Sequence, residues 1–211
     1  MSILQTFERC GIIPVVVLEK SSDAVPLTKA LLAGGINVAE VTFRTEAAEE
    51  SIRLIADQVP EMLVGAGTVL TLGQLDRAYQ AGARFIVSPG FDPKLVERCR
   101  ELELPIFPGA VTPTEIMQIL NEGLDIVKFF PAGNFGGLKT MKSLAAPFTN
   151  IRFMPTGGVN ADNLAEFLEF DKILAVGGSW ICSSKLVKEG KFDEITKLCK
   201  EAKDIFHRVR G

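Results

Sequence analysis

Apolar residues in this chain gather into short runs at near-even spacing. Eight such runs begin near Ile12 (IIPVVVLE), Val38 (VAEVTFR), Leu63 (LVGAGTV), Phe85 (FIVSPG), Pro105 (PIFPGAV), Ile126 (IVKFFPA), Ile151 (IRFMPTGG) and Ile173 (ILAVGGSWI). They are rich in Val, Ile and Phe and end in Gly, Pro or Thr, the pattern of buried strands bounded by turns. The stretches between them carry apolar residues at helical spacing, most clearly over 24–32, 47–59 and 72–81. Ser22 or Asp23 stands where the first of these helices needs a cap, and Thr71 does so for the third. Thr112 precedes Pro113 with Glu115 in the capping-box position.

Eight strand–helix units of 20 to 26 residues predict a parallel sheet. Eight is also the number that closes a (β/α)8 TIM barrel, compact here because 211 residues falls below the ~250 typical of that architecture. An open, doubly wound sheet is the alternative. No linker, low-complexity segment or composition break interrupts the chain, so a single domain over 1–211 is expected. An extra N-terminal helix over 2–10 is expected to cover one end of the barrel.

Composition narrows the function by exclusion. The net charge of −3 and the lack of a Lys/Arg block give no footprint for nucleic acid. No stretch of 18 residues lacks a charge, so no membrane span is expected. The opening MSILQTFERCG has neither the basic start nor the apolar core of a signal peptide, and a cytoplasmic location is expected. Cys10, Cys99, Cys182 and Cys199 are widely spaced with no CxxC pair, which suits reduced thiols packed as small apolar groups. His207 is the sole histidine and lies four residues from the end. A Ser-His-Asp hydrolase, a Cys-His protease or a multi-histidine metal site needs a histidine within the body of the chain. The chemistry therefore rests on Lys, Glu, Asp, Arg, Thr, Ser or backbone groups, with no metal and no cofactor expected.

Lys128 lies inside the apolar run Ile126 to Pro131. Loss of water there favours the neutral amine, a nucleophile that forms a Schiff base with a carbonyl substrate. The alternatives are a lysine that snorkels to the surface or one paired with a carboxylate. In the second run, alternation places Glu40, Thr42 and Arg44 on one face and Ala39, Val41 and Phe43 on the other. The polar face is expected to point into the barrel, where Arg44 can grip a carboxylate through its planar fork and Glu40 can move protons near Lys128. An internal Glu40–Arg44 ion pair is the competing reading. Thr68, following Gly65 and Gly67, can donate a hydroxyl to the same ligand or serve as an ordinary turn residue. The last two runs end in Thr156-Gly157-Gly158 and Gly177-Gly178-Ser179. Glycines at these two strand ends suit backbone N–H groups that hold a phosphate, although Gly-Gly also serves as a plain turn.

Together, EVTFRT (40–45), GAGTV (65–69), VSPG (87–90), FPGAVTPTE (107–115), KFFPA (128–132), PTGGV (155–159) and VGGSW (176–180) closely resemble the 2-keto-3-deoxy-6-phosphogluconate aldolases, grouped with the 4-hydroxy-2-oxoglutarate aldolases. The match runs in order over nearly the whole chain. The resemblance implies a class I aldolase of carbohydrate metabolism, in the Entner–Doudoroff pathway, that splits a 2-keto-3-deoxy-6-phospho sugar acid into pyruvate and glyceraldehyde 3-phosphate. It leaves open the analogous cleavage of 4-hydroxy-2-oxoglutarate to pyruvate and glyoxylate. The family's Schiff-base lysine falls on Lys128, its acid/base glutamate on Glu40, its pyruvate-carboxylate arginine on Arg44 and its pyruvate-contacting threonine on Thr68. Its phosphate-binding backbone and serine fall on Gly157, Gly158 and Ser179. Thr156 matches the threonine of members acting on the gluconate-derived substrate. A homotrimer is implied by the resemblance alone. Two competing readings keep the phosphate loops: an isomerase or synthase with Lys128 as general base, and a non-catalytic sugar-phosphate-binding barrel in which Lys128 merely pairs with Glu40. A metal-dependent aldolase is disfavoured by the single terminal histidine.

Overall fold

The computed structural model describes residues 2–211. The apolar runs form β1 Ile12–Val16, β2 Val38–Thr42, β3 Leu63–Gly67, β4 Ile86–Val87, β5 Ile106–Phe107, β6 Ile126–Phe129, β7 Arg152–Pro155 and β8 Val176–Gly178. The helices are α1 Ile3–Cys10, α2 Ala24–Ala33, α3 Ala48–Gln58, α4 Leu72–Gln80, α5 Pro93–Glu101, α6 Pro113–Asn121, α7 Gly137–Ala145, α8 Leu164–Glu169, α9 Ser184–Lys188 and α10 Phe192–Arg210.

The Thr71 hydroxyl accepts from the Gln74 N–H at 3.2 Å, and Thr112 with Glu115 completes a capping box ahead of α6. The expected cap of α2 does not form. Ser21–Asp23 winds into a 3-10 turn, so Asp23 already has helical backbone angles and makes no side-chain cap. An N-cap oxygen reaches the free N–H groups only from extended backbone, which the turn removes.

Six strands form a parallel, curled sheet in the order β5-β4-β3-β2-β1-β8, and β6 pairs with β7 as a separate two-stranded ribbon. The first and last strands of the chain are neighbours, with Ile12 opposite Val176. Isolated parallel bridges join the ribbon to its neighbours: Gly109 with Lys128 on one side, and Phe153 with Ile173 and Thr156 with Gly177 on the other. On the outer side, α10 packs along α2 and α8.

Ser2 and Gln5 form a capping box at the start of α1, and Gly11, at φ +74°, ends the helix with its N–H on the Phe7 carbonyl. Phe7 is thereby delivered, fully buried, against Phe85 and Phe107, with ring centroids 5.0 and 5.1 Å away. Aromatic pairs of this kind add about 0.5–1.5 kcal/mol beyond the area they bury. Phe129 and Phe153 make a second edge-to-face pair within the ribbon. All four cysteines are buried free thiols. Burial pushes the Cys99 and Cys199 thiols up to about 12, which keeps them protonated and inert. No described helix is long and apolar enough to cross a membrane.

Candidate active site

Strand pairing brings together residues that are far apart in sequence. Glu40 sits mid-strand on β2, opposite Val15 of β1 and Gly65 of β3. Lys128 lies on β6, where its N–H donates to the Pro108 carbonyl at 2.9 Å and its carbonyl accepts from Ala110 at 3.0 Å. The backbone is thus fixed on this side, and the side chain alone bridges the interior. Its Nζ donates to Glu40 Oε1 at 3.0 Å, with the two side chains only 3% and 2% exposed. The same Nζ stands 5.5 Å from the centre of the Phe130 ring. Lys128 therefore does not snorkel.

A buried ion pair is a poor device for stability, because desolvation offsets its Coulomb attraction and apolar replacement is often neutral or better. Chemistry accounts for it more readily. The 3.0 Å contact sets a carboxylate that can carry protons beside an amine of the kind that attacks carbonyl carbon.

Arg44 departs from the strand-face expectation. Strand β2 stops at Thr42, so Arg44 lies in the following turn, exposed, and it makes no ion pair with Glu40 among the described residues. Its Nε donates instead to Thr68 Oγ1 at 3.1 Å. Having accepted from the guanidinium, that hydroxyl still has its own proton to donate to a ligand carboxylate. The turn carrying Arg44 is pinned to the end of β1, with Thr42 donating to the Val16 carbonyl at 2.9 Å and Thr45 to the Leu18 carbonyl at 2.5 Å. Sequence reasoning did not single out Thr45, whose only signal was its place at the end of EVTFRT.

Thr68 has a φ of +54°. A β-branched residue in the left-handed region is strained by about 1–3 kcal/mol, and such strain collects at functional sites. Asparagine tolerates that conformation better. Thr68→Asn is expected to raise the melting temperature by about 2–4 °C, read by thermal unfolding. An unchanged or lower value would show that the strain is absent or compensated.

The β7 and β8 ends meet as anticipated. Thr156 is buried against Gly177, where an added Cβ would lie 2.2 Å from Thr156 Oγ1. Gly157 and Gly158 both have positive φ, +87° and +84°, and among the described residues neither N–H has a backbone acceptor. Ser179 follows β8 and is exposed at the head of a 3-10 turn. Apart from Glu40, which lies mid-strand, every predicted site residue falls at or near the carboxyl end of a strand. A groove of about 650 Å³ lies at the opposite end, lined by Leu4, Arg84, Pro105 and Asp125 among others, and shares none of these residues.

Residues 3–198 match the model of the family "Aldolase: KDPG and KHG aldolase". A 2-dehydro-3-deoxy-phosphogluconate aldolase of Treponema pallidum is 46% identical over 205 residues, covering 97% of this chain and 98% of the relative. A KHG/KDPG aldolase of Escherichia coli K12 is 45% identical over 191 residues, 90% of each chain. Among solved structures, the KDPG aldolase of Legionella pneumophila, with pyruvate captured as a covalent carbinolamine intermediate, superposes with a TM-score of 0.92. It is 39% identical, and the match covers 96% of this chain and 98% of that one.

Proposed function

Because this chain belongs to the KDPG and KHG aldolase family, we propose that it is a class I aldolase working through an imine on Lys128. The observation that carries this reading is the buried Lys128–Glu40 pair at 3.0 Å, an amine with a proton-carrying carboxylate already in contact. The substrate is 2-keto-3-deoxy-6-phosphogluconate, cleaved to pyruvate and glyceraldehyde 3-phosphate; 4-hydroxy-2-oxoglutarate, giving pyruvate and glyoxylate, is the second substrate.

Neutral Lys128 adds to the C2 ketone, and loss of water from the carbinolamine leaves a protonated imine. That cation accepts the electron pair of the C3–C4 bond as Glu40 takes the C4 hydroxyl proton, so the aldehyde departs and an enamine remains. Glu40 returns a proton to C3, and water releases pyruvate from the imine. Arg44 and Thr68 hold the carboxylate, which keeps C2 beside the amine and lowers the entropic part of the barrier. Thr156, Gly157, Gly158 and Ser179 take the remote phosphate end, whose binding energy orients the reacting carbons. Membership of an aldolase family favours this reading over the isomerase and non-catalytic ones.

The finer architecture we read as one domain over 1–211, a closed (β/α)8 barrel with α1 across its amino-terminal end. The bridges at Lys128, Phe153 and Thr156 and the packing of Phe7 support it. A homotrimer in the cytoplasm completes the proposal.

Arg44→Ala is expected to raise the pyruvate KM of the condensation direction roughly 10- to 100-fold, since a charge-assisted hydrogen bond contributes ~1.5–3 kcal/mol. Steady-state kinetics with saturating aldehyde check this, and an unchanged KM removes Arg44 from the carboxylate site. The function itself is tested by mass spectrometry after incubation with pyruvate and sodium borohydride. A reduced pyruvyl adduct on Lys128 is expected; an unmodified lysine in a protein that still turns over overturns the imine.

A further inference from the structure

Strand β3 carries two glycines two residues apart, Gly65 and Gly67, on one face of the sheet. Neither has a positive φ among the described residues, so the backbone conformation is one that any residue adopts. What both positions require is space. A Cβ on Gly65 would lie 2.4 Å from a ring carbon of Phe85. On Gly67 it would lie 1.9 Å from Glu40 Oε1 and 2.5 Å from both Cδ and Cγ of the same side chain. The carboxyl group of Glu40 therefore occupies the volume that a side chain at position 67 would fill.

This contact carries weight because few hydrogen bonds orient Glu40. Among the described residues, the hydrogen bond from Lys128 is the only one its carboxylate accepts. Lys128 is also the residue that must leave that bond in order to attack the substrate. Once it does, no hydrogen bond fixes the carboxylate, and the backbone of β3 at Gly67 still stands against it. Thr68, the next residue, holds Arg44 at 3.1 Å. One short segment thus spaces the proton carrier and positions the carboxylate grip.

We propose that Gly67 is a positioning residue, whose missing side chain sets where the Glu40 carboxylate stands during proton transfer at the substrate. The inference rests on the reading of Glu40 as proton carrier. In the step concerned, the enamine C3 gains the proton held by Glu40, the C2–C3 double bond supplies the electron pair, and nitrogen becomes the iminium. A carboxylate displaced by an added methyl group reaches C3 poorly, whereas imine formation at Lys128 persists.

The test compares Gly67→Ala, Glu40→Gln, Glu40→Ala and the Gly67→Ala/Glu40→Ala double variant. Gly67→Ala is expected to lower kcat about 100-fold, the scale of a 1 Å misplacement. Exchange of pyruvate C3 protons with solvent should fall in parallel, while borohydride still traps pyruvate on Lys128 and the pyruvate KM stays within threefold. In the Glu40→Ala background the same substitution meets no carboxyl group, so it should change kcat and melting temperature little further. That double variant also keeps the test usable if Gly67→Ala folds poorly. A Gly67→Ala enzyme with kcat within threefold of the parent overturns the proposal. So does an equal loss of activity and stability from Gly67→Ala in both backgrounds, because the damage would then not pass through Glu40. Retained turnover in Glu40→Gln removes the proton-carrier reading on which the inference rests. A harmless Gly67→Ala beside an inactive Glu40→Gln removes the inference alone.

Discussion

Lys128→Ala is expected to lower turnover of the phosphorylated substrate by roughly 10⁵-fold or more, a loss within the range of enzyme rate enhancements. No other lysine can take over, because the amine is placed by a backbone bonded to Pro108 and Ala110 and by the Glu40 carboxylate. The substitution also affects the fold. It leaves Glu40 buried without its partner, and breaking such a pair from one side costs about 3–5 kcal/mol. A control therefore accompanies it: Lys128→Met with Glu40→Gln replaces both charges, should melt near the parent temperature, and should be equally inactive. Kinetics and thermal melting on the two variants separate lost chemistry from lost folding. Activity within tenfold of the parent in a folded Lys128→Ala protein would end the imine mechanism.

The second large effect is expected at Glu40. In Glu40→Gln the side chain keeps its shape and still accepts from the Lys128 Nζ, but it cannot carry a proton. Removal of a general acid–base group lowers rates by about 10²–10⁴-fold, and kcat should fall by that amount in both cleavage and condensation. Borohydride trapping of pyruvate on Lys128 should persist, since adding an amine to the ketone does not require the C4 proton to move. The two variants thus divide the reaction: Lys128→Ala traps nothing, whereas Glu40→Gln traps pyruvate and turns over slowly. Equal loss of trapping in both would assign Glu40 to imine formation instead.

Much of this was legible in the chain because periodicity and burial are local signals. The runs at Ile12, Val38, Leu63 and Ile126 begin strands at those residues. Those at Phe85 and Pro105 shrink to two-residue strands, because ladder pairing is a property of neighbours that one segment cannot declare. Lys128 and Glu40 were legible as charged residues inside apolar runs, which demand a partner or a use. Arg44 was misplaced on the strand face because alternation says nothing about where a strand stops. The roles of Thr45 and Gly67 were hidden for a related reason. A hydroxyl reaching the Leu18 carbonyl and an absent side chain beside Glu40 exist only once β1, β2 and β3 lie together.

The ribbon of β6 and β7 has a consequence for how this molecule responds to heat. Lys128 lies on the ribbon and Glu40 on the six-stranded sheet, and isolated bridges are what join the two along their edges. Proteins open in cooperative units whose free energies differ, and sparsely bonded margins open before dense ones. The Lys128–Glu40 hydrogen bond therefore spans sparsely bonded margins. Amide protons at Lys128 and Ala110 should exchange with solvent sooner than those in the middle of β2. Catalytic competence then becomes a local property, lost and regained with the closure of that margin while the rest of the chain stays folded.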